Sequence, residues 1–393
     1  MKIMEVLSME KTGKKNYKYL MIFIAMIPTL SDWNYKVINF GDVMIVIALF
    51  ILLLLYKEKV FNFSKSYLLK TIMILSLLNV LFHYFFNDGY YLNKGLVYLS
   101  KLSVFLLFIS CAFAFITDVG LNDEFVRINT KIASIICLIG IIISILLVCG
   151  SDIPQNYIWH FTRSDIKSYT YVGKNIIRMR SLFSEPSYLG IYLNLVISVS
   201  LFRKNSRKPN LFSISFLCCG VILTFSFSAI LTLLIIFLLF LFKNRKKILE
   251  NKKMIFLAIL ICSLLVVVFS DQIYQTIFLR MKIFLSGSDT STNNRLIGSW
   301  QYINPKNILF GNGFGSTPAI WNNIAYVISD LGLIGFIPLL GIFYKLICKN
   351  KYLAFMLITF SFQRGGYMNS YYWFSLLMIF IYSFEKTPFI KGN

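Results

Sequence analysis

The stretch Arg178-Met179-Arg180-Ser181-Leu182-Phe183-Ser184-Glu185-Pro186-Ser187-Tyr188-Leu189-Gly190 sets two guanidiniums and a carboxylate directly before a proline and an apolar run. Proline is tolerated where the N–H groups of a helix have no partner, so Glu185-Pro186-Ser187 reads as the first turn of a helix. The run over residues 188–202 is apolar enough to enter a membrane. The chain thus holds a charged cluster at a membrane surface, at the positive end of a helix dipole. Guanidinium is the better bidentate ligand for phosphate, so Arg178 and Arg180 suit a phosphate or pyrophosphate; the bland alternative is a solvated loop touching lipid headgroups. Glu185 has two readings of equal weight. It is a general base for a hydroxyl, or an acid favoured by the helix dipole and paired to Arg180.

A second polar stretch reads Asn294-Arg295-Leu296-Ile297-Gly298-Ser299-Trp300-Gln301-Tyr302, followed by Leu309-Phe310-Gly311-Asn312-Gly313-Phe314-Gly315. A helix starting at Asn293 or Asn294 would present Arg295 on its first turn. Gly311 and Gly313 would let backbone N–H groups approach a ligand closely, although Gly-x-Gly alone is a weak signal. Asp330-Leu331-Gly332-Leu333-Ile334-Gly335 puts an acid early in an apolar run, where acids are expensive; its glycines favour helix packing. Arg280 and Arg364 are further arginines in polar segments of the same side. His83 and His160 lack metal-ligand spacing, and the chain has no phosphate-binding Gly-Lys-Ser/Thr loop, no Asp-x-Asp pair and no nucleophile–histidine set. No cofactor or metal is expected.

The elements that must hold these residues are membrane spans. Apolar residues make up 57% of the chain and charged residues only 14%, against about 25% charged in a soluble domain. Runs of spanning length recur from end to end, so the fold class is all-α: one polytopic integral membrane domain over residues 1–393, with about 12 transmembrane helices. The spans fall near residues 19–30, 40–56, 68–86, 96–116, 132–149, 185–202, two within 211–242, 254–270, 323–347, 352–362 and 371–384. The net charge of +22 would suggest nucleic acid in a soluble protein. Here most Lys and Arg fall in short loops on one side, the topology signal of a membrane protein with cytoplasmic termini, and nucleic acid is excluded as a partner. Two large outer loops, about 150–184 and 271–322, carry most of the remaining Arg. Asp42 and Lys101, near outer span ends, read as snorkelling groups. The seven cysteines lie in or beside apolar runs, and no structural disulfide is expected.

These features together resemble the O-antigen and capsular polysaccharide polymerases (Wzy-type) of the O-antigen ligase/polymerase superfamily. The resemblance rests on four motifs in family order: Arg180-x4-Glu185-Pro186-Ser187-Tyr188-Leu189-Gly190; Thr224-Phe225-Ser226-Phe227-Ser228-Ala229 at a tight turn between spans; Asn294-Arg295 with the Gly311–Gly315 run; and Trp321-Asn322-Asn323 leading into Asp330-Leu331-Gly332. It covers about residues 178–335. The resemblance implies metal-independent, inverting glycosyl transfer on the outer face of the bacterial cytoplasmic membrane. Repeat units linked to undecaprenyl pyrophosphate would be donor and acceptor, with the bilayer and a chain-length regulator as further partners. It implies Arg180 and Arg295 as catalytic residues on the donor pyrophosphate, and Glu185 as the base. Arg178, Arg280, Arg364, Gly311, Gly313 and Asn323 would bind substrate, and Trp159, Tyr169 and Tyr171 would face sugar rings. Two positions depart from the pattern: Phe227 stands where many relatives have Arg, and Trp321-Asn322-Asn323 lacks the His common in ligases. The second departure favours polymerase over ligase. A flippase for lipid-linked sugars is the competing class; polar residues gathered in outer loops, with no repeat between halves, count against it.

Overall fold

The computed structural model describes residues 17–36, 38–55, 67–162, 177–203, 210–250, 274, 278–286, 293–295 and 297–384. It is a helical bundle. Helix α1 (Tyr17–Leu30) leads through a two-residue antiparallel hairpin, β1 (Asn34–Tyr35) and β2 (Ile38–Asn39), into α2 (Phe40–Leu55). Then come α3 (Tyr67–Phe86), α4 (Leu92–Asp118), α5 (Asn122–Val148), α6 (Pro186–Phe202), α7 (Leu211–Leu223) and α8 (Phe227–Glu250). A short α9 (Leu279–Leu285), α10 (Asn323–Gln363) and α11 (Ser370–Ser383) complete it.

Five of the helices are long and apolar enough to cross a membrane: 69–86 within α3, α4, α5, 227–244 within α8, and α10; α1, α2, α6, α7 and α11 are shorter apolar helices. Large apolar side chains such as Phe50, Phe85, Phe242, Ile337 and Tyr344 point outward, as lipid-facing residues do. The expected span at residues 254–270 lies outside the described residues.

Helix ends follow their sequence signals. Pro186 opens α6 with Glu185 as the residue before it, in extended conformation, rather than inside the first turn. Asn210, Asn322 and Asn369 each accept a hydrogen bond from a first-turn N–H with their side-chain oxygens, capping α7, α10 and α11. α10 is broken twice. At Gly332 (φ +68°) a side chain would overlap the Leu309 carbonyl oxygen, and at Asn350 the backbone turns extended between Lys349 and Lys351.

Lipid is as apolar as a leucine side chain, so spans associate by close packing and small residues do most of it. α6 is the hub, buried along nearly its whole length against α5, α7, α8, α10 and α11. Gly190 of α6 leaves room for Ala229 of α8, and Gly220 of α7 leaves room for Cys137 of α5. Asp42 and Lys101 are not two separate snorkelling groups. They form an ion pair of 2.5 Å between α2 and α4, because each is only partly exposed and the helices pack side by side.

The loops sort to two ends of the bundle. One end holds the α1–α2 hairpin, residues 87–91, 149–162 and 177–185, the α7–α8 turn, residues 297–322 and the α10–α11 loop. The other holds the α4–α5 turn, residue 203 and the Asn350 break, tied by Asn350 Nδ2 donating to the Phe202 carbonyl (3.0 Å).

Candidate functional site

The site forms where residues 177–185 run across the first end and drop into α6. This segment is pinned from every side. The Met179 N–H donates to the Leu223 carbonyl (3.0 Å) and Arg178 Nε to the Thr224 carbonyl (3.3 Å), both at the α7–α8 turn. Ser181 Oγ donates to the Ile136 carbonyl of α5 (2.7 Å), while Gly140 of α5 makes room for Met179. Two indoles clamp the turn: Trp159 Nε1 donates to the Ser181 carbonyl (2.8 Å) and Trp33 Nε1 to the Leu182 carbonyl (2.7 Å). Ser181 itself takes φ +52°, a conformation costly for a residue with a side chain and held here by these contacts.

Arg180 is buried. Its guanidinium lies 3.4 Å above the Trp159 ring, and Nη1 donates to the Ser184 carbonyl (3.0 Å). Trp159 therefore carries Arg180 on its face.

Arg364, at the C-terminal end of α10, occupies the centre. Its guanidinium is held between Tyr188 (4.0 Å) and Tyr371 (4.4 Å), and its Nη2 makes an ion pair with Asp32 Oδ1. Both members of the pair are almost fully buried. The other terminal nitrogen, Nη1, is buried and has no hydrogen-bond partner among the described residues. A buried donor left unused costs about 1–3 kcal/mol, which makes Nη1 available to a ligand. Asp32 Oδ2 accepts from Ser184 Oγ (3.1 Å) and the Ser184 N–H (3.4 Å). Glu185, next in the chain, accepts from Ser187 Oγ (3.1 Å).

Arg295 approaches from residues 293–295, which are helical as expected from Asn293 and Asn294. Its guanidinium is 6.0 Å from the Trp321 ring, and its carbonyl accepts from Asn322 Nδ2 (3.3 Å). Gly365, directly after Arg364, packs on the backbone of Ile320 and Trp321, the segment that Arg295 lies beside. Tyr188, in the first turn of α6, lies against the Arg364 guanidinium, and Glu185 stands directly before that turn. The head of α6 thus gathers two sequence-selected residues, Arg364 and Glu185, and one that the sequence reading missed, Asp32.

The glycine run does something more specific than expected. Residues 308–313 pair with the backbone around the Gly332 break. The Gly313 N–H donates to the Asp330 carbonyl (3.1 Å), the Asn312 N–H to the Ser329 carbonyl (2.7 Å) and the Leu333 N–H to the Ile308 carbonyl (2.9 Å). A Cβ on Gly311 would sit 2.6 Å from the Asp330 carbonyl oxygen. Asp330 is buried and accepts from the Gly315 N–H (3.2 Å), the Thr317 N–H (2.8 Å) and Tyr367 Oη (2.7 Å). Burial, and then the Asp330 charge, hold the Tyr367 phenol well above the usual tyrosine range, so it remains a donor. Asn323 is buried, and neither side-chain polar atom has a partner among the described residues.

Of the remaining candidates, Arg280 lies in α9, where only its backbone is described. Tyr169 and Tyr171 lie outside the described residues. Among the described residues no group of three His, Cys, Asp or Glu side chains could hold a metal ion.

Residues 212–335 match the family model described as O-antigen ligase. The match takes in the α7–α8 turn, Arg295, the glycine run and the Gly332 break; Arg180, Glu185, Asp32 and Arg364 lie outside it. No curated protein and no solved structure matches the chain. That match supports a membrane glycan-processing function of the ligase or polymerase type.

Proposed function

We propose, from the family match over residues 212–335 and the arginines gathered at this end of the bundle, a polymerase of lipid-linked oligosaccharide repeat units, working on the outer face of the bacterial cytoplasmic membrane. The observation that carries the reading is the Arg364 guanidinium, buried between Tyr188 and Tyr371 with one donor unused, next to the Trp321 segment on which Arg295 lies. Such a set fits the two phosphates of an undecaprenyl pyrophosphate leaving group. In this reading Arg364, Arg295 and Arg180 take up the charge that develops as the sugar–phosphate bond breaks, and preorganised donors of this kind are worth several kcal/mol each. Glu185, beside them, takes the proton from the acceptor hydroxyl as its oxygen attacks the anomeric carbon from the opposite face. Gly311, Gly313 and Asp330 act at one remove, by fixing the entry of α10 next to Arg295.

The topology fits twelve spans if the Asn350 break separates two of them and residues 254–270 supply another. The loop end bearing the arginines would face outward and both termini the cytoplasm. A chain-length regulator remains a candidate partner.

The description of the matched family favours a second reading, transfer of finished glycan to another acceptor. Against it, residues 321–323 offer no histidine; Asn322 is spent on capping α10. A deletion strain separates the readings on a gel of surface glycan. Single repeat units in place of a ladder support polymerase; an intact ladder stranded on undecaprenyl pyrophosphate means ligase, and loss of all outer-face lipid-linked units means flippase.

A further inference from the structure

Beside the arginines, on the far side of Asp32, lies an open cleft of about 520 Å³. Its walls come from the α1–α2 hairpin (Asp32, Asn34, Asn39), the segment after Trp159 (Phe161, Thr162) and the cap of α11 (Asn369). The volume falls within the roughly 300–1,000 Å³ of small-molecule sites. Among the described residues no Lys or Arg lines it, and Asp32 is the one wall residue of fixed charge. Amide and hydroxyl side chains, which both donate and accept, suit a neutral ligand rich in hydroxyl groups.

The hairpin is braced to keep these groups in place. Asn39 Nδ2 donates to the Ser31 carbonyl (2.7 Å) and to Asn34 Oδ1 (2.9 Å), and the Asn34 N–H donates to the Phe161 carbonyl (2.9 Å). Phe161 stacks on Trp33 (6.0 Å) and meets Phe40 edge-on (5.6 Å), which fixes an aromatic ring at the cleft wall. A rigid aromatic beside amides is the pairing that a pyranose presents for, with an apolar C–H face and a polar rim.

We propose that this cleft is the subsite for the sugar end of the acceptor, distinct from the diphosphate site at Arg295 and Arg364. The proposal rests on the polymerase reading for the word acceptor. Asp32 belongs to both subsites. Oδ1 pairs with Arg364, Oδ2 accepts from Ser184, and both Asp32 and Ser184 line the cleft, where a sugar hydroxyl would donate to Oδ2. The same carboxylate thus sets the distance between the acceptor sugar and the leaving diphosphate.

The test uses the full chain in lipid nanodiscs and two probes. One is the repeat-unit oligosaccharide released from the host's lipid-linked units by mild acid; the other is inorganic pyrophosphate. Asn34→Trp and His160→Trp, both at exposed positions of the cleft, fill it from two different segments, the α1–α2 hairpin and the stretch after Trp159. Each is expected to weaken oligosaccharide binding by about tenfold or more while leaving pyrophosphate binding within about twofold. Arg364→Lys is expected to do the reverse. The proposal is overturned if the wild type does not bind the oligosaccharide, if both Trp variants bind it as the wild type does, or if both lose the two probes together. Oligosaccharide binding alongside an intact ladder in the deletion strain would remove the polymerase reading and keep the subsite. A missing ladder without oligosaccharide binding would do the opposite.

Discussion

Replacing Arg364 by Lys keeps one positive charge beside Asp32 and removes everything specific to the guanidinium. The present side chain lies 4.0 Å and 4.4 Å from two aromatic rings and forks away from its ion pair to offer Nη1. A cation on an aromatic face is worth about 0.5–2 kcal/mol. Ammonium retains part of that at one ring, so the expected stability loss is about 1–3 kcal/mol. The loss in rate should be larger. Lysine cannot hold Asp32 and a phosphate oxygen in one planar fork, and removing one preorganised donor costs about 10²–10³ in turnover, or about 3–4 kcal/mol. The assay is ladder formation by protein reconstituted with lipid-linked repeat units, normalised to folded protein by tryptophan fluorescence. A rate within threefold of wild type at normal stability would refute the reasoning, because Arg364 would then be a structural cation only.

Three further perturbations have definite outcomes. Gly332→Ala should lower thermal stability by several kcal/mol, since the backbone sits at φ +68° and a Cβ meets the Leu309 carbonyl oxygen; Gly120→Ala, at φ +70° with open space around it, should cost only about 1–2 kcal/mol, and equal losses in a melting assay would contradict the interlocked turn. Lys101→Met leaves Asp42 unpaired between α2 and α4 and should destabilise by about 1–3 kcal/mol, discounted for partial exposure; adding Asp42→Asn should recover much of the loss, and a double variant no better than the single would argue against the pair. EDTA treatment should leave the polymerisation rate within about twofold, while a large loss restored by a divalent cation would call for metal chemistry.

Much of this arrangement was legible along the chain, because hydropathy and capping are local signals. The proline at the start of α6 marked its entry, the apolar runs from residues 323 and 371 marked α10 and α11, and Lys349 and Lys351 marked the place where α10 breaks. Arg180, Glu185, Arg295 and Arg364 were found as charges on the side where topology does not require them. Asp32 was not found, since its partners Ser184 and Arg364 stand 152 and 332 residues away and no spacing rule reaches that far. The available signal was its chemistry: an acid in a short outer turn directly after a span, on a face with few acids. The Gly332 break was hidden for a similar reason. Its cause is the segment 308–313 lying against it, and neither stretch alone shows the other. Of the glycines read as a ligand cradle, Gly313 gives its N–H to α10 and Gly311 packs on the α10 backbone while its N–H goes to the Asn307 carbonyl, which shows how a flexible motif leaves its partner open.

The central claim is tested most directly by the purified chain alone, in proteoliposomes with lipid-linked repeat units and no other acceptor. The account predicts a ladder of products that stay on undecaprenyl pyrophosphate, lengthening one repeat at a time. Unchanged single units, turned into product only when a different acceptor lipid is added, would contradict it.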